Sequence, residues 1–379
     1  MGKVKFGIIG CGMMGREFVS AASRWCHLLG DIPAPEVIAV CDTNEALLGW
    51  YKKHVPSVRH ICADYRELLE IDEVEAVYCA VPHNLHEEVY IAAIEAGKHL
   101  LGEKPFGIDR AANRAILEAA GRHPECIVRC ASQFPFYPGA QKLVRWINEG
   151  GPGQVIEVKS GFKHSSDIDT QKKINWKRMV DVNGAYGCMG DLGIHTHHIP
   201  FRVGWVPERV SAQLANIVTQ RPDAQGCQVP CETWDNALLA CDVRTQNGDA
   251  FPMMIENKRI APGSTNEWYI EVYGMKQSAK FSTNDPCAFS YTESMGSEQA
   301  WCRVVIGYKP QTPTITGNIF EFGFTDSILQ MWGAYMSEIA GKPQNFGCYT
   351  PEETVLSHKL CTAALASEKS KKAEKLEDY

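Results

Sequence analysis

The residues best suited to move a proton are a carboxylate and a histidine four positions apart, Asp191 and His195. Residues at that spacing share a face if the segment is helical. A carboxylate that fixes the tautomer of a histidine is a recurring arrangement in general acid–base catalysis. His197 and His198 follow at once, so a zinc site and a purely structural histidine are the alternatives. Because no Glu or Cys nearby completes a ligand set, we predict acid–base chemistry without a metal.

A glycine-rich turn follows the first apolar run of the chain, and its residues are Gly10, Cys11, Gly12, Met13, Met14 and Gly15. Between an apolar run and a stretch of helical composition, this spacing is typical of a dinucleotide-binding turn. Gly10 permits the tight turn, Gly12 lets the backbone approach a pyrophosphate, and Gly15 lets the helix pack close to the strand. The helix N-terminus supplies N–H groups and a partial positive charge. A glycine turn without a ligand is the alternative.

Asp42 ends the second apolar run, 37–41. An acidic residue at this place binds the 2′-hydroxyl of the adenosine ribose. A carboxylate repels a 2′-phosphate, and neither Thr43 nor Asn44 is an arginine that could bind one. The sequence therefore predicts NAD rather than NADP, and the alternative is that Asp42 only caps the next helix.

Two more segments follow apolar runs of the same region. Ligands of a parallel sheet lie at the carboxyl ends of its strands, so we expect these residues beside the cofactor; they are Pro82, His83, Asn84 and His86 after 76–81, and Glu103 and Lys104 after 99–102. Lys104 is the first candidate for proton transfer, because a lysine beside a nicotinamide ring can donate or accept a proton. The alternative is a surface lysine paired with Glu103.

Trp176, Lys177 and Arg178 combine an aromatic face with two cations. This combination suits a polyhydroxylated ring, which needs both stacking and hydrogen-bond donors. A tryptophan packed on its own domain is the alternative.

The order of predicted elements indicates two domains. Residues 1–131 alternate strands with helices, which predicts a doubly wound parallel sheet of the α/β class. In residues 132–379, strands follow one another with turns between them, which predicts an α+β domain with a large, mostly antiparallel sheet. Helices are predicted over 138–148, 324–340 and 351–368.

Composition excludes several classes of protein. The net charge of −7 over 379 residues disfavours nucleic acid as a partner. The 15 cysteines lie scattered and often in apolar runs, which fits a reducing cytoplasm. We find no signal peptide and no apolar run long enough to span a membrane, so we expect neither secretion nor membrane contact.

Taken together, these residues resemble the Gfo/Idh/MocA oxidoreductase family. The resemblance covers essentially the whole chain and rests on four motifs: Gly10 to Gly15, Pro82 with His86, Glu103-Lys104-Pro105, and Asp191-x-Gly193-x-His195. It implies an N-terminal Rossmann domain and a C-terminal domain whose open sheet often mediates oligomers. It also implies that Lys104 and His195 flank the substrate carbinol, that Asp191 holds His195, and that the bond before Pro105 is cis.

The sequence departs from the family pattern at two places. Gly184-Ala185-Tyr186-Gly187 stands where the family has a run of glycines, which brings Tyr186 close to the expected pocket, and His198 stands where an aspartate is common. Both changes affect substrate recognition more than reaction type. The predicted substrate-binding residues are therefore Lys104, Trp176, Lys177, Arg178, Tyr186, Asp191, His195 and His198.

These observations predict an NAD-dependent dehydrogenase of a sugar, glycoside or cyclitol, in which a hydride passes between a ring carbinol and nicotinamide. Lys104 is the first candidate base and His195 the second. A lyase or glycosidase that recycles tightly bound NAD is the alternative, and a sugar-sensing regulatory protein on the same fold is a more remote one. We expect a small carbohydrate as substrate and a homo-oligomer, either a dimer or a tetramer.

Overall fold

The computed structural model describes residues 2–245, 247–293 and 298–379. Its backbone divides into two compact units. The first comprises the chain up to Phe136 together with Lys309–Thr354, and the second comprises Tyr137–Tyr308 together with Val355–Tyr379.

The first unit contains a six-stranded parallel sheet in the order β3-β2-β1-β4-β5-β6. Its strands are β1 (Lys3–Ile9), β2 (Ala34–Cys41), β3 (His60–Cys62), β4 (Ala76–Cys79), β5 (His99–Gly102) and β6 (Val128–Cys130). Its helices are α1 (Met13–Ser23), α2 (Glu45–His54), α3 (Tyr65–Leu69), α4 (His86–Glu95) and α5 (Arg110–Arg122), with short 3-10 helices at Trp25–His27, His83–Leu85 and Phe134–Phe136. The predicted doubly wound parallel sheet is confirmed.

The strand order places a topological switch beside β1. The chain moves from β1 to one side of the sheet through β2 and β3, and then returns to the other side through β4, β5 and β6. Ligands of doubly wound sheets bind at such a point, outside the carboxyl ends of the strands. The segments after β1, β2, β4 and β5 all lie at that edge.

The second unit contains a nine-stranded sheet in the order β16-β15-β14-β13-β7-β12-β11-β8-β17. Its helices include α6 (Pro138–Asn148), α7 (Val180–Asn183) and α8 (Cys188–Arg202), with a 3-10 turn at Trp176–Arg178. The strands are β7 (Val155–His164), β8 (Pro207–Ala215), β9 (Gln220–Pro222), β10 (Gln228–Pro230), β11 (Asn236–Arg244), β12 (Ala250–Lys258), β13 (Asn266–Gly274), β14 (Gln277–Ser282), β15 (Ala288–Glu293), β16 (Cys302–Val305) and β17 (Glu374–Lys375). β9 and β10 form a separate hairpin. The pairing is antiparallel except between β7 and β12, which confirms the predicted mostly antiparallel sheet.

Helix α8 packs against the centre of this sheet. The Ser160 hydroxyl donates to the carbonyl of Thr196 at 2.8 Å, and the Trp268 indole donates to the carbonyl of His195 at 2.7 Å. Every residue from Cys188 to Phe201 is buried. The sheet therefore fixes α8 along its length and presents the residues at its N-terminal end in a defined geometry.

The last two helices are α9 (Phe324–Ile339) and α10 (Pro351–Ser370), followed by a 3-10 turn at Leu376–Asp378. Residues 309–354 lie in the first unit, whereas the sequence analysis places them in the second domain. The reason is aromatic packing: the ring of Trp332 lies 3.8 Å from that of Phe18 and 5.5 Å from that of Phe6. Among the residues described, no helix is both long and apolar enough to cross a membrane.

Candidate active site

Two glycines of the first turn are required by the fold itself. Gly10 has φ of +95°, and a Cβ on it would lie 2.4 Å from the carbonyl oxygen of Ala80. A Cβ on Gly15 would lie 2.4 Å from the carbonyl oxygen of Gly10 and 2.6 Å from the Tyr51 hydroxyl. Any larger side chain at either position would therefore clash or strain the backbone.

Gly12 is different. A Cβ there would meet no atom within 4 Å, and its φ of −71° suits any residue. Gly12 is the N-cap of α1 and has no side chain to bond the first N–H groups of that helix. Packing within the chain does not require glycine at this position, and the open space beside the helix N-terminus fits the approach of an anionic group such as a pyrophosphate.

Asp42 joins the first turn to the end of β2. Its Oδ2 accepts a hydrogen bond of 2.7 Å from the backbone N–H of Cys11, and its Oδ1 accepts one of 2.8 Å from Asn44. A carboxylate offers about four acceptor sites, so it can still bind ribose hydroxyls. The cap of α2 is the side chain of Asn44, which accepts from Ala46 at 3.1 Å, so capping is not the role of Asp42.

His86 connects two of the loops at this edge. Its ring is wholly buried and stacks on Tyr90 at 4.7 Å. The N–H of Gly107 donates to Nδ1 at 3.4 Å, which leaves the proton on Nε2 to bond the carbonyl of Val81 at 3.1 Å. His83 is also buried, whereas Asn84 is exposed. The histidine thus holds the loop that begins at Pro82, beside the predicted cofactor site.

Glu103 and Lys104 follow β5. The Tyr78 hydroxyl donates to the carboxylate of Glu103 at 2.7 Å, and the Tyr90 hydroxyl donates to its backbone carbonyl at 2.7 Å. Glu103 is buried and Lys104 is partly exposed. The Lys104–Pro105 bond is cis, as the resemblance implies.

In the second unit the segment is helical, so Asp191 and His195 lie one turn apart on the same face of α8. Both are nearly inaccessible, with 1% and 3% of their surface exposed. The ring of His195 meets Phe162 edge to face at 5.5 Å.

Two cations bind the buried carboxylate of Asp191. The ammonium of Lys177 lies 3.0 Å from each of its oxygens, and Nε of Arg259 lies 3.4 Å from Oδ2. Lys177 is partly exposed and its Nζ lies 5.8 Å from the ring centre of Trp176. The structure therefore brings together four of the predicted residues: Trp176, Lys177, Asp191 and His195.

His164 belongs to this cluster and was missed in the sequence. Its pKa is lowered to about 4, mainly by burial; the charge of Asp191 opposes this shift, and the charges of Lys177 and Arg259 contribute to it. Its Nδ1 accepts a hydrogen bond from the backbone N–H of Ser166 at 3.4 Å, so the proton of the neutral ring is on Nε2. The alternating pattern of β7, extended by one more pair of residues beyond Phe162, would have pointed to it.

Arg178 requires a correction. Its guanidinium has no exposed surface and is held by Asp235 and, at 3.3 Å, by Asp167. We therefore revise its predicted role from substrate binding to support of the loop.

Tyr186 and His198 are also engaged within the second unit. The hydroxyl of Tyr186 lies 2.7 Å from that of Thr362, and Nε2 of His198 lies 3.2 Å from the guanidinium of Arg202. Their contact with substrate stays a prediction. Across the described residues, no three or more His, Cys, Asp or Glu side chains are arranged to hold a metal ion.

Comparison with known proteins agrees with this geometry. Residues 4–130 match the family model Gfo/Idh/MocA, described as an oxidoreductase family with an NAD-binding Rossmann fold. The part of the chain that forms the parallel sheet therefore matches the NAD-binding domain of the Gfo/Idh/MocA oxidoreductases. The resemblance seen in the sequence is thereby confirmed.

Members of the Gfo/Idh/MocA family with named substrates resemble this chain. It is 23% identical over 296 residues to levoglucosan dehydrogenase of Pseudarthrobacter phenanthrenivorans, covering 74% of each chain. It is 26% identical over 298 residues to glucose-6-phosphate 3-dehydrogenase of Bacillus subtilis, covering 77% of this chain and 78% of that one. A solved structure of levoglucosan dehydrogenase with NADH and levoglucosan has a TM-score of 0.87 at 20% identity, over 99% of both chains. At 20% identity, this similarity shows that the two chains share a fold.

Proposed function

We propose that this protein is an NAD-dependent dehydrogenase that moves a hydride between a ring carbinol of a sugar, glycoside or cyclitol and nicotinamide. The observation that carries the proposal is the pair Asp191 and His195 on α8, in a chain whose residues 4–130 match an NAD-binding oxidoreductase family. The pair is the proton-handling group that oxidation of an alcohol needs.

Two features support NAD as the cofactor. Gly12 leaves open space at the N-terminus of α1, which suits the pyrophosphate. Asp42 is anchored at the end of β2, where its charge favours a ribose hydroxyl over a 2′-phosphate. Met13 and Met14 of the turn, Thr43 after Asp42, and the loop from Pro82 to His86 complete the proposed cofactor residues. When bound, nicotinamide supplies the hydride acceptor.

The protein must remove the hydroxyl proton, because an alcohol does not ionise near neutral pH. We propose Lys104 as the first candidate base and His195 as the second. Asp191 lies one turn before His195 on α8, and we propose that its carboxylate holds the imidazole of His195 in one orientation.

The residues around Asp191 support a carbohydrate as substrate. Trp176 offers a half-buried aromatic face, and Lys177 offers N–H donors beside it. An apolar face with adjacent donors fits a polyhydroxylated ring. Relatives named for levoglucosan and glucose 6-phosphate are consistent with that class.

We also propose that the protein forms a homo-oligomer in the cytoplasm. Leu238 and Met254 are exposed on neighbouring strands of the nine-stranded sheet, an apolar surface suited to a second copy. Light scattering after size-exclusion chromatography would measure the assembly. A monomer at micromolar concentration would contradict this part of the proposal.

The function is tested by adding NAD and a panel of glycosides, hexoses and inositols to the purified protein, and by following NADH absorbance. We expect NADH to accumulate with one class of carbohydrate and to require NAD rather than NADP. Product formed with bound NAD but without net NADH would instead support a lyase or glycosidase that recycles its cofactor. Carbohydrate binding with no redox change would support a regulatory protein.

A further inference from the structure

Three arginines of the second unit are almost wholly inaccessible to solvent: Arg178, Arg221 and Arg259 have 0%, 1% and 0% of their surface exposed. Arg221 and Arg259 bind one irregular segment, residues 165–187, and Arg178 lies within that segment. The structure describes this segment in full, and it contains no regular structure beyond a 3-10 turn and α7. A long irregular segment in a compact domain is usually functional.

The guanidinium groups replace the hydrogen bonds that a helix or sheet would provide. Arg221 donates to the backbone carbonyls of Asp167, Asp169 and Lys172. Arg178 pairs with the carboxylate of Asp167 at 3.3 Å. Because buried carbonyl groups need a partner, these bonds hold the segment in one conformation.

Arg259 does more than hold the backbone. Its Nη1 donates to the carbonyl of Lys177 at 3.0 Å, and its Nη2 donates to the carbonyl of Gly187 at 3.2 Å. Its Nε lies 3.4 Å from the carboxylate of Asp191, which also binds the ammonium of Lys177 at 3.0 Å. One guanidinium therefore binds both the backbone of Lys177 and the carboxylate that Lys177 pairs with.

We propose that Arg259 is a positioning residue for the reaction: it holds the ammonium of Lys177 and the carboxylate of Asp191 in register and keeps that carboxylate ionised. The inference rests on the proposed function, because it gives Arg259 a part in a reaction at Asp191 and His195. Arg259 acts through Asp191 and is not itself a catalytic residue.

Burial makes the charge of Asp191 depend on its cations. An ionised carboxylate with 1% of its surface exposed is costly unless it is paired. The charged or titratable groups around it are Lys177 from the segment, Arg259 after β12, His164 at the end of β7, and His195 and Cys188 on its own helix. Loss of either cation leaves the carboxylate protonated at a higher pH.

The test compares Arg259→Met with Arg221→Met. Both remove a buried guanidinium that binds the same segment, but Arg221 is not paired with Asp191. For Arg259→Met we expect the acidic limb of kcat/KM against pH to move up by about one unit, with the Kd for NAD unchanged. For Arg221→Met we expect the acidic limb to stay where it is, even if thermal stability falls. Arg259→Lys keeps a cation and is expected to restore most of the wild-type profile.

A second measurement tests the proposal without requiring turnover. Since the charge of Arg259 helps to hold the pKa of His164 down, Arg259→Met should raise that pKa in an NMR titration of the histidine ring, whereas Arg221→Met should not. An unchanged acidic limb with an unchanged His164 signal, or equal shifts in both variants, would overturn the proposal. If Arg259→Met does not fold, Arg259→Gln replaces it in both measurements, because the amide can still donate to the carbonyl of Lys177 or Gly187 but carries no charge.

The two proposals fail in different ways. If the wild-type protein oxidises no carbohydrate, the proposed function fails while the NMR titration still decides the role of Arg259. If the wild type oxidises a carbohydrate and Arg259→Met shows the same pH profile as the wild type, only the proposed role of Arg259 fails.

Discussion

The ammonium of Lys177 lies 3.0 Å from both oxygens of the Asp191 carboxylate, although 14 residues separate them along the chain. From the sequence, Lys177 is predicted to contact the substrate and Asp191 to hold His195. The structure adds a direct ion pair between the two, so a change at either residue alters the charge of the other's surroundings. Substitutions of Lys177 should therefore be interpreted as changes in Asp191 as well as in substrate contact.

Gly12→Ala should separate ligand binding from folding. No atom lies within 4 Å of the added methyl group, so we expect a thermal midpoint close to that of the wild type. If the open space serves a pyrophosphate, the methyl group should weaken NAD at least about tenfold, or about 1.4 kcal/mol. Calorimetry would measure both quantities.

Gly15→Ala is the matched control, because its Cβ would lie 2.4 Å from the carbonyl oxygen of Gly10. Overpacking of that kind costs about 1–3 kcal/mol of folding free energy. A Gly12→Ala variant that binds NAD as tightly as the wild type would argue against the assigned role of the turn.

Asp42→Asn should reduce the preference for NAD over NADP. The amide retains an acceptor for the N–H of Cys11 but removes the charge that repels a 2′-phosphate. Two charges 4 Å apart interact by about 4 kcal/mol near a protein surface, so we expect the ratio of the two affinities to change by at least about tenfold. Asp72→Asn, an exposed carboxylate of the same unit, is the control. An unaltered ratio would mean that another residue selects the cofactor.

Lys104→Ala should lower turnover by at least about 100-fold while NAD still binds, because general acid–base groups contribute about 10²–10⁴ in rate. Lys53→Ala, which changes an exposed lysine of the same unit, should have no such effect. Steady-state kinetics with a fluorescence titration of NADH would make the comparison. Full activity in Lys104→Ala would remove the lysine from the mechanism.

The fold was largely predictable because its signals are local. The strand, glycine turn and helix at residues 3–23 follow from hydrophobic pattern and glycine spacing, and α6 has the predicted bounds of Pro138–Asn148. β2 begins at Ala34, three residues before the apolar run 37–41 that indicates the strand in the sequence, because it includes Pro35. Pro35 pairs with Val4 in a part of β2 that β3 does not reach, where a missing N–H is tolerated.

The contacts of the site were less predictable because they are long-range. Nothing near Arg259 in sequence connects it with Asp191, since the pairing exists only once β12 and α8 are packed. Arg178 is of a residue type that often binds ligands, but it is paired with Asp235, which lies 57 positions further along the chain. Residue type predicted a charged cluster, but only tertiary structure shows which charges are paired.

Acid should destabilise the protein through His197. This ring is wholly buried, and burial, with the charge of His358 as a smaller cause, lowers its pKa to about 3. Between about pH 6.5 and 3 the unfolded chain binds a proton that the folded protein does not. The free energy of unfolding therefore decreases as the pH is lowered, by up to about 1.4 kcal/mol per pH unit. Urea titrations at several pH values should show a shallower decline for His197→Gln.

His123 provides a control of opposite sign. Glu125 and Glu95 raise its pKa, so the stability it contributes is present at low pH and is lost as pH rises. His123→Gln should therefore steepen the acid decline slightly, because the group is partly exposed and solvent screens its charge. If His197→Gln and the wild type decline in parallel, burial of a neutral His197 is not a source of acid sensitivity.

The central claim is that a hydride leaves a ring carbinol and reaches nicotinamide. It is tested most directly by turnover of a carbohydrate deuterated at its ring carbons, followed by mass analysis of the cofactor. We predict free NADH that carries one deuterium atom per molecule of oxidised sugar. Product formed alongside unlabelled free NAD, with no deuterated NADH released, would contradict the dehydrogenase.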